Sequence, residues 1–132
     1  MKELFQHTAI TDNITVRVAV NYLPEQSRAE VGKWFWAYHV RIENEGSAPV
    51  QLLSREWQIT DGHGSVHHVE GEGVVGEQPV IRPGKSYDYV SGCPLNTSNG
   101  VMEGSYHMID AAGHTIKVAI PQFALVAPAV TE

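Results

Sequence analysis

The chain has 132 residues, the length of one ordinary domain with none left for a second. Its 42% hydrophobic and 18% charged content belongs to a chain that folds around a core, which excludes a disordered protein. With 15 acidic and 9 basic side chains the formal charge is −6, which disfavours non-specific binding to nucleic acid or to an anionic membrane. Cys93 is the only cysteine, so an internal disulfide is impossible and a reducing compartment is the simpler setting. The opening MKELFQHTAI lacks the apolar run of a secretory signal and no stretch approaches a membrane span, so a cytoplasmic protein is expected.

In chain order, alternation with a period of two dominates. In ITVRVAV, Ile14, Val16, Val18 and Val20 share one face against Thr15 and Arg17, which predicts a half-buried strand. WFWAYHVRIEN repeats the pattern, with Trp34, Trp36, Tyr38, Val40 and Ile42 on one face. Between them NYLPEQSRAEVGK, with Pro24 and Gly32, reads as a connecting loop. After the turn signal NEGSAP, VQLLSREWQIT is extended but changes phase. Val50 and Leu52 fit one phase and Leu53, Trp57 and Ile59 the other, which predicts a bulge near Leu53 to Arg55.

DGHG supplies a hairpin turn and SVHHVEG its return strand. VIRPG makes a corner, KSYDYVSG a strand and NTSNG a turn or loop, and GSYHMID, AAG and HTIKVAIPQFALV form a closing hairpin. Pro121 removes a ladder donor, so the last arm should lie at an edge or be interrupted there. No stretch carries a capped 3.6-residue period, and seven or eight short antiparallel strands predict an all-β sandwich. One domain over 1–132 is expected, with a core over about 14–125 and a tail, APAVTE, that frays. In IRPGKSY, the spacing of Ile81, Pro83, Gly84 and Tyr87 resembles the E–F corner of fibronectin type III domains, where a tyrosine hydrogen-bonds back across the corner.

The candidate chemistries are few. GEGVVG, Gly71 to Gly76, has the G-x-G-x-x-G spacing of dinucleotide sites, which place a pyrophosphate on a following helix N-terminus. Val74, Val75, Pro79 and Pro83 deny such a helix, Glu70, Glu72 and Glu77 add negative charge, and Arg82 is the only nearby cation. A bulged turn explains the glycines, while an anion held by a nest of backbone N–H groups stays open. His63, His67 and His68 lie close to Glu70 and Glu72, with His68, Glu70 and Glu72 sharing one strand face, but no established metal-ligand spacing is present. A solvated hairpin rim is the plainer reading, and no metal site is assigned. SGCPL is no recognised nucleophile context, no serine stands in a G-x-S-x-G elbow, and an inert, buried Cys93 is expected. Trp34, Trp36 and Trp57 read as core or sheet-edge residues ahead of a stacking platform.

YLPEQS, LLSREWQITDGHG, VEGEGVVGEQPVIRPG, YVSGCPLNTSNGVMEGSYHM and IPQFAL together resemble the ApaG family in order and spacing, from about Ile14 to Leu125. GEGVVGEQP followed by PG and SG is the most specific part. The tryptophans of WFWAY stand where a tyrosine or phenylalanine pattern is usual. The resemblance implies a fibronectin type III-like, immunoglobulin-like sandwich and a bacterial cytoplasmic protein whose family is tied by name to cobalt resistance and magnesium efflux. A chain with no membrane span cannot itself be the pore. Similar domains occur as accessory modules in eukaryotic F-box and polymerase-delta-interacting proteins, which implies a binding role. The family's glycine motif, discussed as a pyrophosphate site, falls here on Gly71, Gly73 and Gly76.

The expectation is therefore a non-enzymatic binding module that acts through a protein partner on divalent-cation homeostasis, with no catalytic residue and no cofactor. The exposed face of the Trp34 to Ile42 strand and the glycine loop are the expected contact surfaces, and a homodimer is left open. The alternative is a small-ligand binder or enzyme that uses the 63–77 segment for a nucleotide pyrophosphate or a metal ion. An exposed apolar patch without a pocket would favour the first, and a concave site with converging Glu and His the second.

Overall fold

A computed structural model describes residues 5–128 of the chain; the predicted fraying of the tail concerns in part residues 129–132, which lie outside the described residues. The alternating stretches become strands: β1 His7–Thr11, β2 Ile14–Tyr22, β3 Trp34–Asn44, β4 Val50–Asp61, β5 Val66–Glu72, β6 Val80–Ile81, β7 Ser86–Leu95, β8 Asn99–Asp110 and β9 Thr115–Val126. They form two antiparallel sheets, one ordered β1-β2-β3-β7 and one ordered β5-β4-β8-β9, with β6 also pairing β4. This is a β-sandwich, as the alternation predicts. Among the described residues nine strands stand where seven or eight were expected, because β1 and the two-residue β6 give too little alternation to read. The loop after β2 contains a single 3-10 turn, Ala29–Val31.

The inward faces interlock in one core, centred on Trp36, Tyr38, Val40 and Ile42 of β3 against Trp57, Tyr106 and Phe123 of the other sheet. Trp57 meets Tyr38 and Phe123 edge-on, with ring centroids 5.4 and 6.1 Å away. Polar groups that enter the core are satisfied: Trp36 Nε1 donates to Val126 O at 3.1 Å, and the Tyr89 and Tyr106 hydroxyls hydrogen-bond each other. Among the described residues no buried side-chain N or O atom lacks a partner.

Two bulges set which residues face outward. The first lies between Leu52 and Ser54 on β4, where the phase slip places it. The second lies where β8 steps from Met102 to Gly104 while β9 steps from Phe123 to Ile120, so Pro121 and Gln122 together oppose Glu103. β9 is also an edge strand, so Pro121 has both properties predicted for it. The corner before β7 differs in detail from the fibronectin pattern. The Tyr87 hydroxyl donates to the Glu77 carboxylate at 2.8 Å and not to the backbone. The corner is instead tied by buried Asn44, whose Nδ2 donates to Ala48 O and Ile81 O at 2.9 Å each and whose Oδ1 accepts from Gly46 N at 2.9 Å.

Candidate functional site

The β4 bulge turns Ser54, Glu56 and Gln58 outward, and the registers align them with outward residues of three other strands. One row runs Glu70, Glu56, Ser105, Ala119. On one side lies His68, Gln58, Glu103, with Gln122 brought up by the second bulge, and on the other Glu72, Ser54, His107, Lys117. Gly104, Ser105 and Ala119 are small, so the middle of the face is hollow and the long side chains form its walls. The main hollow encloses about 530 Å³ between Glu56, Gln58, His68, Glu70, Glu103 and Lys117, and a second of about 460 Å³ adjoins it between Arg55, Glu70, Glu72 and His107. Gly104 has to be glycine because a Cβ there would lie 2.2 Å from Glu56 O.

Charge in the groove is organised around Glu56. Its carboxylate accepts from Ser105 Oγ at 3.2 Å and lies 3.5 Å from His107 Nε2 and 3.4 Å from Lys117 Nζ. The hydrogen bond from His107, then those from Ser105 and Lys117, hold it below the ordinary glutamate value. Glu103 accepts from Gln122 Nε2 at 2.9 Å and from Gln58 Nε2 at 3.5 Å. His68 and Glu70 form no hydrogen bond or ion pair among the described residues. Hydrogen-bond donors and acceptors therefore alternate across a concave surface with carboxylates in excess, an arrangement suited to holding polar or cationic groups.

The glycine loop lies at the rim of the smaller hollow. Gly71 is within β5, where the Arg55 guanidinium covers it so closely that a Cβ would be 2.9 Å from Nη2. Gly73 has φ +62° and a Cβ there would come within 2.1 Å of Glu77 O. Val74 N donates to Glu77 O at 2.8 Å and Glu77 N to Val74 O at 2.9 Å, closing a two-residue turn. Val75 at φ +45° and Gly76 at φ +80° make this a type I′ turn. Gly73 N donates to Leu53 O at 2.9 Å, and Val74 fills the core beneath. The loop's cation is Arg55, which sequence spacing missed: Nη1 donates to Gly73 O at 2.7 Å and Glu72 O at 3.1 Å. No helix follows; the turn accounts for Gly73 and Gly76, and the Arg55 guanidinium packed against β5 accounts for Gly71.

The other candidates separate. Cys93 is buried, and burial pushes its thiol up to about 11. His67 faces away from the groove toward Asp61, 3.4 Å off, while His63 stands in the hairpin tip. Among the described residues no three His, Cys, Asp or Glu side chains are arranged to hold a metal, and no helix is long and apolar enough to cross a membrane. Trp36 and Trp57 are core and Trp34 packs against it. The outer face of β3 is engaged in its own sheet, with Arg41 Nη2 3.0 Å and His39 Nε2 3.2 Å from Asp88. Sequence reasoning missed Glu56, Gln58, Glu103, Ser105, His107, Lys117 and Gln122 as a group. For Glu56 and Gln58 the available signal was the outward phase set by the Leu53 bulge, whereas the residues of β8 and β9 join them only through the strand registers.

The ApaG domain profile matches residues 24–110. Protein ApaG of Rhodospirillum centenum is 52% identical over 122 residues, covering 92% of this chain and 94% of that protein. Protein ApaG of a Bradyrhizobium strain, ORS 278, is 50% identical over the same length and coverage. A crystal structure from Bordetella pertussis, of a protein described as ApaA, superposes with a TM-score of 0.85 at 42% identity and covers 96% of this chain and all of its own. Sandwich, glycine loop and groove thus occur in a chain whose sequence and backbone both match one family along nearly their whole length, and the chain belongs to the ApaG family.

Proposed function

We propose that the chain is a non-enzymatic binding module that acts through a protein partner in the cytoplasm, and that it contacts its target through the groove on the five-stranded sheet. The link to cobalt and magnesium homeostasis, implied by the family resemblance, then operates through that partner. The observation that carries this reading is the state of the groove's reactive groups. Glu56 and Glu103 are held by neighbours within the same face, and Cys93 is buried in the other sheet. Among the described residues His68 and Glu70 stand without a hydrogen-bonded partner to activate them, which favours recognition over catalysis. Capture of partners with immobilised wild-type chain, a Lys117→Glu variant and an Arg17→Glu variant on the opposite face tests it. A partner lost with Lys117→Glu and kept with Arg17→Glu supports the groove, and equal recovery on all three contradicts it.

A second reading has its own observation. His68, Glu56, Glu70 and Glu103 converge on a hollow of about 530 Å³, the feature expected of a small-ligand site that draws on the 63–77 segment. Carboxylates in excess favour a cationic or hydroxyl-rich ligand over a pyrophosphate. Amide shifts on titration separate the choices. Changes at Gly71, Gly73 and Gly76 with a nucleotide would support the pyrophosphate site, changes at Glu103, Ser105 and Lys117 with a diamine or polyol would support the groove, and silence in both titrations would remove this reading.

A further inference from the structure

β5 is an open edge whose backbone is ready to pair. Asp61 N donates to Ser65 O at 3.0 Å and Gly73 N to Leu53 O at 2.9 Å, flanking the Trp57↔Val69 register. Antiparallel alternation then directs the odd-numbered N–H and C=O groups of β5 at β4, and those of Val66, His68, Glu70 and Glu72 outward. No strand among the described residues pairs that side. The far edge of the same sheet is blunted: β9 carries Pro121 and the bulge, and its Ala119 N donates to Thr11 Oγ1 at 3.1 Å. β5 has none of these protections.

Its side chains are equally unfinished. Val66 and Val69 are 49% and 41% exposed. His68 and Glu70 are without a hydrogen bond or ion pair among the described residues, and Glu70 stands opposite a like charge, Glu56, in its own sheet.

We propose that β5 pairs antiparallel with β5 of a second copy about a two-fold axis through Val69. That register sets His68 of each copy opposite Glu70 of the other, at outward, hydrogen-bonding positions, and brings the two Val69 side chains together. A shift of one register step sets Glu70 against Glu70, and the opposite shift sets His68 against His68, so hydrogen-bond pairing of imidazole with carboxylate, free of a facing pair of carboxylates, selects the Val69-centred pairing. The two five-stranded sheets then become one continuous sheet. Since His68 and Glu70 line the groove, each copy completes the wall of the other's site. The pairing is independent of what the groove holds.

The test is made on the full chain in solution. Light scattering over a wide concentration series should give twice the 14.5 kDa of one chain. Under mild oxidation Val69→Cys should form a disulfide-linked dimer, because residues facing each other at a non-hydrogen-bonded position have Cα atoms about 4.5 Å apart, within disulfide range. Val66→Cys, which faces Glu72, should not, and buried Cys93 does not compete. His68→Glu should return the single-chain mass, and His68→Glu with Glu70→Lys should restore the dimer. All of these positions are on an exposed edge, so circular dichroism should show the fold unchanged. A single-chain mass for the wild type throughout, a dimer indifferent to His68→Glu, or equal cross-linking at positions 66 and 69 would overturn the proposal.

Discussion

Asn44 and Glu70 are both polar residues on strands, and they represent opposite conditions. Asn44 is 1% exposed and uses both ends of its amide, giving to Ala48 O and Ile81 O and accepting from Gly46 N. Glu70 lies on the rim of a groove, faces another carboxylate, and has no partner among the described residues. The same division runs through the molecule. Between the sheets every polar side-chain atom described is satisfied, and the sandwich is finished by its own sequence. On the outer face of the five-stranded sheet, donors and acceptors are gathered but not exhausted. The difference marks where the fold is complete: interior polar groups hold the corner and the core, and exterior ones on this face keep unused hydrogen-bonding capacity.

The division can be broken most forcefully from inside. Asn44→Ala strips the buried Ile81 carbonyl and the Ala48 carbonyl of their donor, and should lower the unfolding free energy by about 3 kcal/mol. Urea denaturation checks this, and a loss well under 1 kcal/mol would show that the corner is held otherwise. Next, Tyr106→Phe leaves the Tyr89 hydroxyl buried alone and should cost about 2 kcal/mol. Adding Tyr89→Phe should recover most of that loss, since removing both partners leaves nothing unsatisfied. A double variant as unstable as the sum of the singles would contradict the pairing.

Smaller effects sharpen the contrast from outside. Val75 has φ +45°, which suits Asn far better than a β-branched residue, and its 63% exposure means little burial is lost. Val75→Asn should stabilise by about 1 kcal/mol in thermal melts, and a fall in stability would mean that the valine makes a contact not accounted for. The smallest effect is in acid. Hydrogen bonds from His107 and then Ser105 and Lys117 depress Glu56, and the donation from His114 N depresses Asp110. A carboxylate depressed on folding contributes stability above its unfolded value and loses it as pH falls through the folded value. Stability should therefore decline as pH drops below the ordinary values of 4.5 and 3.8, with a shallower decline in Glu56→Gln.

How much of this could be read beforehand depended on whether the signal was local. The β4 bulge was legible because Leu52 and Trp57 are buried in opposite phases of one short stretch. At Pro121 the same slip, between Ile120 and Phe123, was visible only as a missing donor. β1 was not legible, since Thr8 and Ile10 face outward and Ile10 is 70% exposed, leaving no apolar face to detect. The glycine loop was read correctly as a turn, but not its Val75 in a left-handed conformation, which runs against the residue's own preference. The groove was hidden for a different reason. Each of its strands shows an ordinary polar face, and only the cross-strand registers place Glu56, Glu70, Glu103 and Lys117 around one hollow.

The central claim is that the outer face of the five-stranded sheet recognises the target. Its most direct test is hydrogen–deuterium exchange of the chain with and without the partner recovered by capture. Protection is predicted over β4, β5, β8 and β9 around Glu56, Glu70 and Lys117, with β2 and β3 unchanged. Protection confined to the outer face of β2 and β3 would contradict the account.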